Sequence, residues 1–141
     1  MAIFKKRPKP VKLQHLEELT PMVASGKPVL LDFMQVNCGP CRIMDGVVNE
    51  LAEEYSESAH IVKVDVTKVA GAAQAFGVRS TPTFVLLGTA PEKQSKKARR
   101  NGNGNGSSGK KIGQRWRATG LVKKDQLTRV LESNGAIRIV A

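Results

Sequence analysis

Apolar positions along this chain fall into runs and periods that predict a strand–helix–strand–helix–strand core. Val29 to Met34, Val-Leu-Leu-Asp-Phe-Met, is a nearly unbroken apolar run, the pattern of a strand buried on both faces. Asn37 ends that stretch, Cys38-Gly-Pro-Cys41 follows as a turn, and a helical pattern starts with Arg42, Ile43 and Met44. Ile43, Val47, Val48, Leu51, Ala52 and Tyr55 mark one face of a helix of about four turns, while Glu50, Glu53, Glu54 and Glu57 take the wet side. His60 to Val66 predicts a second strand, Val69 to Phe76 a short alanine-rich helix, and Gly77 to Pro82 a loop. The loop enters a third strand, Thr83 to Leu87. This order predicts an α/β fold in which helices cover both sides of a sheet.

The flanks read differently. Residues 1–12 are basic and proline-containing, a poor composition for packing. Leu13, Leu16, Leu19, Met22 and Val23 then recur at helical spacing, with Gly26 as a stop. Pro21 interrupts them: either the helix bends there, or Thr20 caps a second short helix with Pro21 in its first turn. From Gly88 to Gly113, charge, serine and Asn-Gly repeats replace apolar residues, which predicts a flexible insertion. Gln114 to Thr119 alternates as an edge strand does. Gly120 follows, then a helix carrying Leu127, Val130 and Leu131 that ends at Asn134-Gly135. The tail, 136–141, is a stray strand or has no order. The expected domain therefore spans 13–135, with an insertion at 88–113 and a basic segment at 1–12.

A chain of 141 residues fits one domain with a real apolar core. Its net charge of +11 suggests a polyanion partner until it is located. Lys5, Lys6, Arg7, Lys9 and Lys12 crowd the first segment. Lys93, Lys96, Lys97, Arg99, Arg100, Lys110 and Lys111 stand against Glu92 alone in the insertion. The rest of the chain holds 11 basic and 11 acidic residues, so the fold itself is neutral. No run approaches the length of a membrane span, and the basic start is followed by no apolar stretch of signal length. The expected location is cytoplasmic, with an organelle stroma or matrix left open. Asn105-Gly-Ser107 matches a glycosylation triplet that this location discounts.

The two cysteines lie in one motif, which suits redox work better than a disulfide scaffold. A strand feeding a helix through such a turn puts the first sulfur where the helix's unpaired amides point, and those amides favour a thiolate. Cys38 is thus the attacking sulfur, and Cys41, one helical turn on, displaces whatever Cys38 has captured. Asp32, a carboxylate inside an apolar run, is the candidate base for Cys41, since burial raises its affinity for a proton. Lys63, on the next strand, is placed to tune Asp32 by charge. Zinc normally takes four ligands, and His15 and His60 are remote from the motif in sequence. A metal or cluster shared between two chains through paired Cys38 and Cys41 is a third reading. No metal and no cofactor are otherwise expected.

Asp32-Phe33, Cys38-Gly-Pro-Cys41, Lys63-Val-Asp65, Phe76-Gly-Val-Arg-Ser-Thr-Pro-Thr83 and Gly120 together resemble the thioredoxin family in order and spacing, over about residues 13–87 and 113–133. The resemblance implies a thioredoxin-like fold, with a central mixed sheet of four to five strands. It also implies a redox-active Cys38–Cys41 disulfide, and an Asp32 that takes the Cys41 proton. By the same resemblance Gly39 and Pro40 tune the redox potential, and Pro82 is a cis-proline facing the cysteines. The Thr81 backbone there pairs with an extended substrate, and Gly120 belongs to the same substrate-binding set. The implied activity is protein-disulfide reduction by a monomer, with disulfide-containing client proteins as partners and a thioredoxin-reductase-type electron donor. Two departures stand out: Met34 and Asn37 occupy positions where the family has tryptophans. Trp116, the only tryptophan, reads as a packing residue. The second reading is a recruitment module tethered to RNA, a ribosome or an acidic membrane by its basic segments. Residues 88–111 would supply a nonspecific anionic contact, since no aromatics interleave to stack bases.

Overall fold

A computed structural model describes residues 7–89 and 112–139. The lysine- and arginine-rich centre of the insertion, the glycosylation triplet and the first six residues lie outside the described residues. Five strands form one mixed sheet: β1 (Val11–Lys12), β2 (Val29–Met34), β3 (His60–Asp65), β4 (Thr83–Thr89) and β5 (Ile112–Thr119). Their spatial order is β1-β3-β2-β4-β5. β2 lies centrally, parallel to β3 and antiparallel to β4, and β5 is the far edge, as its alternation predicts.

The β2 run is buried along its length because both faces are covered. Val29, Leu31 and Phe33 join Val62, Val64 and Val85 on one face, under α1 (Leu19–Ala24) and α3 (Ala72–Phe76). Leu30 joins Ile61, Phe84 and Leu86 on the other, under α2 (Gly39–Glu54) and α4 (Lys124–Ser133). Side chains alternate along a strand, so Asp32 projects toward α2 and α4. Phe33 also stacks on Phe76, ring centroids 5.3 Å apart, which anchors α3 to the sheet. Tyr55, at the end of α2, is fully buried and donates its hydroxyl to Glu132 of α4 at 2.6 Å.

Several boundaries differ from the sequence expectation. Val11 and Lys12 leave the basic segment to pair with Val62 and Lys63, and the Leu13 N–H continues that ladder to the Lys63 carbonyl at 3.0 Å. The helix expected from Leu13 is instead a 3-10 turn, Leu16–Glu18, followed by α1. Pro21 sits in the first turn of α1, where a missing N–H costs nothing, but Glu18, not Thr20, is the cap. α3 starts only at Ala72, because Gly71 turns the chain at φ +76°. Gly88, Thr89, Ile112 and Gly113 belong to the β4–β5 ladder, so each of these strands reaches two residues further into the insertion than expected. The tail makes no strand as far as residue 139. It docks Ala136 in the core and donates the Ile139 N–H to the Glu54 carbonyl at 2.7 Å.

Candidate redox site

Three chain segments meet at one end of the sheet. β2 finishes there at Met34. The antiparallel register pairs Phe33 with Thr83, and Thr83 with Thr119, so β4 begins and β5 ends at the same edge. Gln35, Val36 and Asn37 carry the chain over that edge to Cys38, while Thr81-Pro82 and Gly120 flank it.

Cys38 is the N-cap of α2, in extended conformation (φ −120°, ψ 108°), and its Sγ accepts the Cys41 N–H at 3.2 Å. Serine, threonine or aspartate oxygens normally fill that position. The helix therefore begins at Gly39, not Arg42, and the motif is its first turn rather than a loop before it. The buried face also differs from the expected one: Cys41, Met44, Val48, Leu51, Ala52 and Tyr55 are covered, whereas Ile43 is 66% exposed. Pro40 lies in the first turn, where no N–H is needed. A Cβ built at Gly39 would meet nothing within 4 Å, so packing does not demand glycine there. Cys38 and Cys41 are joined as a disulfide, 7% and 3% exposed respectively. Opening that bond would leave the Cys38 sulfur on the amide-rich end of the helix, which favours its anionic form.

Asp32 is 1% exposed, and neither carboxyl oxygen has a hydrogen-bond partner. Burial pushes its pKa from 3.8 up to about 7; the positive charge of Lys63 opposes the rise and the negative charge of Asp45 adds to it. A carboxyl titrating there can both take and return a proton at neutral pH. Lys63 is its direct register neighbour on β3, but the ammonium goes elsewhere: Nζ lies 2.9 Å from Asp45 Oδ1. The sequence reading missed Asp45. Its position one turn after Cys41 is visible in the sequence, but its partner, 18 residues away on a strand, is not.

The Thr81–Pro82 peptide is cis, and Pro82 is buried. The Pro82 carbonyl accepts the Gly120 N–H at 2.8 Å, and Gly120 holds φ +90°, a conformation that favours glycine. Thr83 Oγ1 donates to the Ser80 carbonyl at 2.7 Å, fixing the loop before β4. Thr81 itself lies before the ladder begins, so its backbone is not committed to β2. Trp116 packs against the α2/α4 core and offers no platform beside the sulfur. Exposed apolar area near the site comes instead from Val36, 57% exposed, just before Asn37, and Leu121, 60% exposed, just after Gly120. Neither stands out in the sequence.

His60 pairs with Val29, at the opposite end of the sheet from the cysteines, and its Nε2 is 3.1 Å from Ser25 Oγ. Burial holds its pKa below the usual histidine value. Among the described residues, no three His, Cys, Asp or Glu side chains are grouped to hold a metal ion.

A family model described as Thioredoxin matches residues 11–105. Thioredoxin 1 of Synechococcus elongatus is 40% identical over 66 residues, 47% of this chain and 62% of that protein. Thioredoxin Y1, chloroplastic, of Arabidopsis thaliana is 37% identical over 66 residues, 47% of this chain and 38% of that protein. The matched stretch thus spans less than two thirds of either relative. The solved structure of a mutant thioredoxin from Halobacterium salinarum NRC-1 superposes with a TM-score of 0.68 at 28% identity, covering 94% of this chain and 96% of that one.

Proposed function

This chain belongs to the thioredoxin family, and from that premise we propose that it is a protein-disulfide reductase whose reacting groups are Cys38, Cys41 and Asp32. The observation that carries the reading is the seat of Cys38: a sulfur at the N-cap of α2, already accepting the amide of the cysteine that would displace its cargo. In the reduced chain the Cys38 thiolate attacks one sulfur of a client disulfide. A Cys38–client disulfide forms, and the client's other sulfur leaves as a thiolate. Asp32 takes the proton from the Cys41 thiol, the Cys41 thiolate attacks Cys38 Sγ, and the second client sulfur leaves. Two electrons pass from the cysteine pair to the client, and the pair ends as the Cys38–Cys41 disulfide.

Thr81, Pro82 and Gly120 form the proposed ground for an extended client segment, with Val36 and Leu121 giving the apolar contact that Asn37 does not. Gly39 and Pro40 set the potential of the pair, and Lys63 bears on Asp32 by charge. A thioredoxin-reductase-type donor restores the dithiol. We take the working form as a monomer and residues 11–139 as one domain carrying a basic insertion, because β1 begins at Val11 and the tail docks Ala136 in the core. Among the described residues no helix is long and apolar enough to cross a membrane. One relative is chloroplastic, so the compartment is proposed as reducing, either cytoplasm or an organelle interior. The polyanion tether rests mainly on residues outside those described, and no observation favours it as a second reading.

Insulin reduction, followed as turbidity, tests the assignment. Cys38→Ser should abolish it, and Cys41→Ser should accumulate a client-linked adduct that dithiothreitol releases. Undiminished activity in Cys38→Ser would end the proposal.

A further inference from the structure

We propose that Asp45 is a positioning residue for the Asp32 proton: it holds the Lys63 ammonium on α2 and so keeps that cation from pairing with the buried carboxyl. The inference rests on the role given above to Asp32.

Register makes the arrangement unusual. Lys12, Lys63, Asp32 and Phe84 form a single row across β1, β3, β2 and β4. Side chains aligned in such a row leave the sheet on the same side, with neighbouring strands about 4.8 Å apart. A lysine next to a buried, unpartnered carboxylate would ordinarily swing onto it. Here both Asp32 oxygens are without a partner, while Lys63 Nζ is 2.9 Å from Asp45 Oδ1. α2 makes this possible. Asp45 stands four residues after Cys41, so the thiol that loses a proton and the carboxylate that anchors the lysine share one face of the helix.

The groups that face Asp32 are few. β3 supplies Lys63, with Lys12 of β1 beyond it; β4 supplies the apolar Phe84; α2 supplies Asp45; and α4 covers this face with the apolar Leu127 and Leu131. Asp45 acts in two ways. It draws the Lys63 ammonium away from Asp32, and it adds a negative charge of its own. Both favour the protonated carboxyl, in the direction in which burial already pushes it. Asp32 therefore titrates where it can accept the Cys41 proton and give it up again, instead of remaining a permanent carboxylate locked to lysine.

The test uses the full reduced chain, with the Asp32 carboxyl carbon followed by NMR across pH. In parallel, release of thionitrobenzoate from its mixed disulfide with Cys38 is timed across the same range. Asp45→Ala should lower the Asp32 midpoint by about half a unit or more and move the pH profile of release the same way. Adding Lys63→Met to that variant should bring the midpoint back up, since the freed lysine is what lowered it. Asp45→Asn, which keeps the shape, should move the midpoint down by a smaller amount and serves if Asp45→Ala fails to fold. A purely structural ion pair would change stability and leave the midpoint still. An unmoved midpoint, or a fall that Lys63→Met does not reverse, overturns the inference. Insulin reduction by the unaltered chain is read separately: its absence would count against the reductase reading, whereas the Asp32 midpoints judge Asp45 in either case.

Discussion

Replacing Asp32 by alanine should remove a pH dependence of stability whose size follows from the surroundings of that carboxyl. Its folded pKa is about 7, raised from 3.8 first by burial, against the pull of Lys63 and with the push of Asp45. The folded chain therefore holds this proton more tightly than the unfolded chain does. The sign follows from linkage: stability is full below the unfolded value near 4 and is lost as pH rises through the folded value near 7. A gap of about three units, at about 1.4 kcal/mol each, amounts to about 4 kcal/mol once the carboxyl is fully ionised. Between pH 5 and pH 8.5 the loss comes to about 3 kcal/mol. Guanidinium unfolding of the oxidised chain, parent and Asp32→Ala, at those two pH values gives the comparison. Glu54, held below its usual range by Lys124 and Arg138, and His60, lowered by burial, titrate in both chains and cancel in the difference. The parent should weaken relative to the variant by about 3 kcal/mol on going to pH 8.5, and the variant should then be the more stable of the two. A parent-minus-variant difference that stays flat with pH refutes the reasoning, because a carboxyl that did not titrate abnormally would cost nothing on ionisation.

Other outcomes follow from the same geometry. Gly120→Ala places a side chain at φ +90° with open space around its Cβ, so backbone strain alone should cost about 1–2 kcal/mol in chemical unfolding. Gly39→Ala, with equal space and no such angle, should cost under about 1 kcal/mol and serves as the control. Tyr55→Phe removes the hydroxyl that Glu132 accepts at 2.6 Å and should lose about 1 kcal/mol by the same assay. Replacing residues 90–111 by Asn-Gly closes β4 onto β5 through a two-residue turn, since Thr89 and Ile112 are directly paired. The shortened chain should fold with unchanged insulin reduction and gain up to about 2 kcal/mol from the smaller loop. Loss of the folded state there would show that the insertion belongs to the fold.

The part of the fold legible in the sequence is the part where local pattern and burial agree. β2 and β4 are apolar because both faces are covered, and β3 and α4 carry plain periodicity. Ile43 departs from expectation because Ile43 and Met44 are both apolar and sit about 100° apart, so spacing alone admits either on the stripe; the buried stripe runs through Cys41, Met44, Val48, Leu51 and Tyr55 and leaves Ile43 outside. β1 escapes notice because two residues between Pro10 and Leu13 hold no period, and only the partner strand makes them a strand. The site divides in the same manner. Cys38, Cys41 and Asp32 are marked by motif and by a charge out of place in an apolar run. Asp45 meets its partner Lys63 18 residues on, and Val36 and Leu121 are marked only by their exposure in the fold, so no local pattern announces them.

The ladder between β4 and β5 has an architectural consequence. β4 leaves the cysteine edge at Thr83 and runs seven residues to Thr89, about 20 Å at strand rise. Whatever joins Thr89 to Ile112 is thus spliced in at the pole opposite the sulfurs. A segment exchanged there enters and leaves the sheet about 20 Å from the edge that carries the cysteines, so its two points of attachment do not touch that edge.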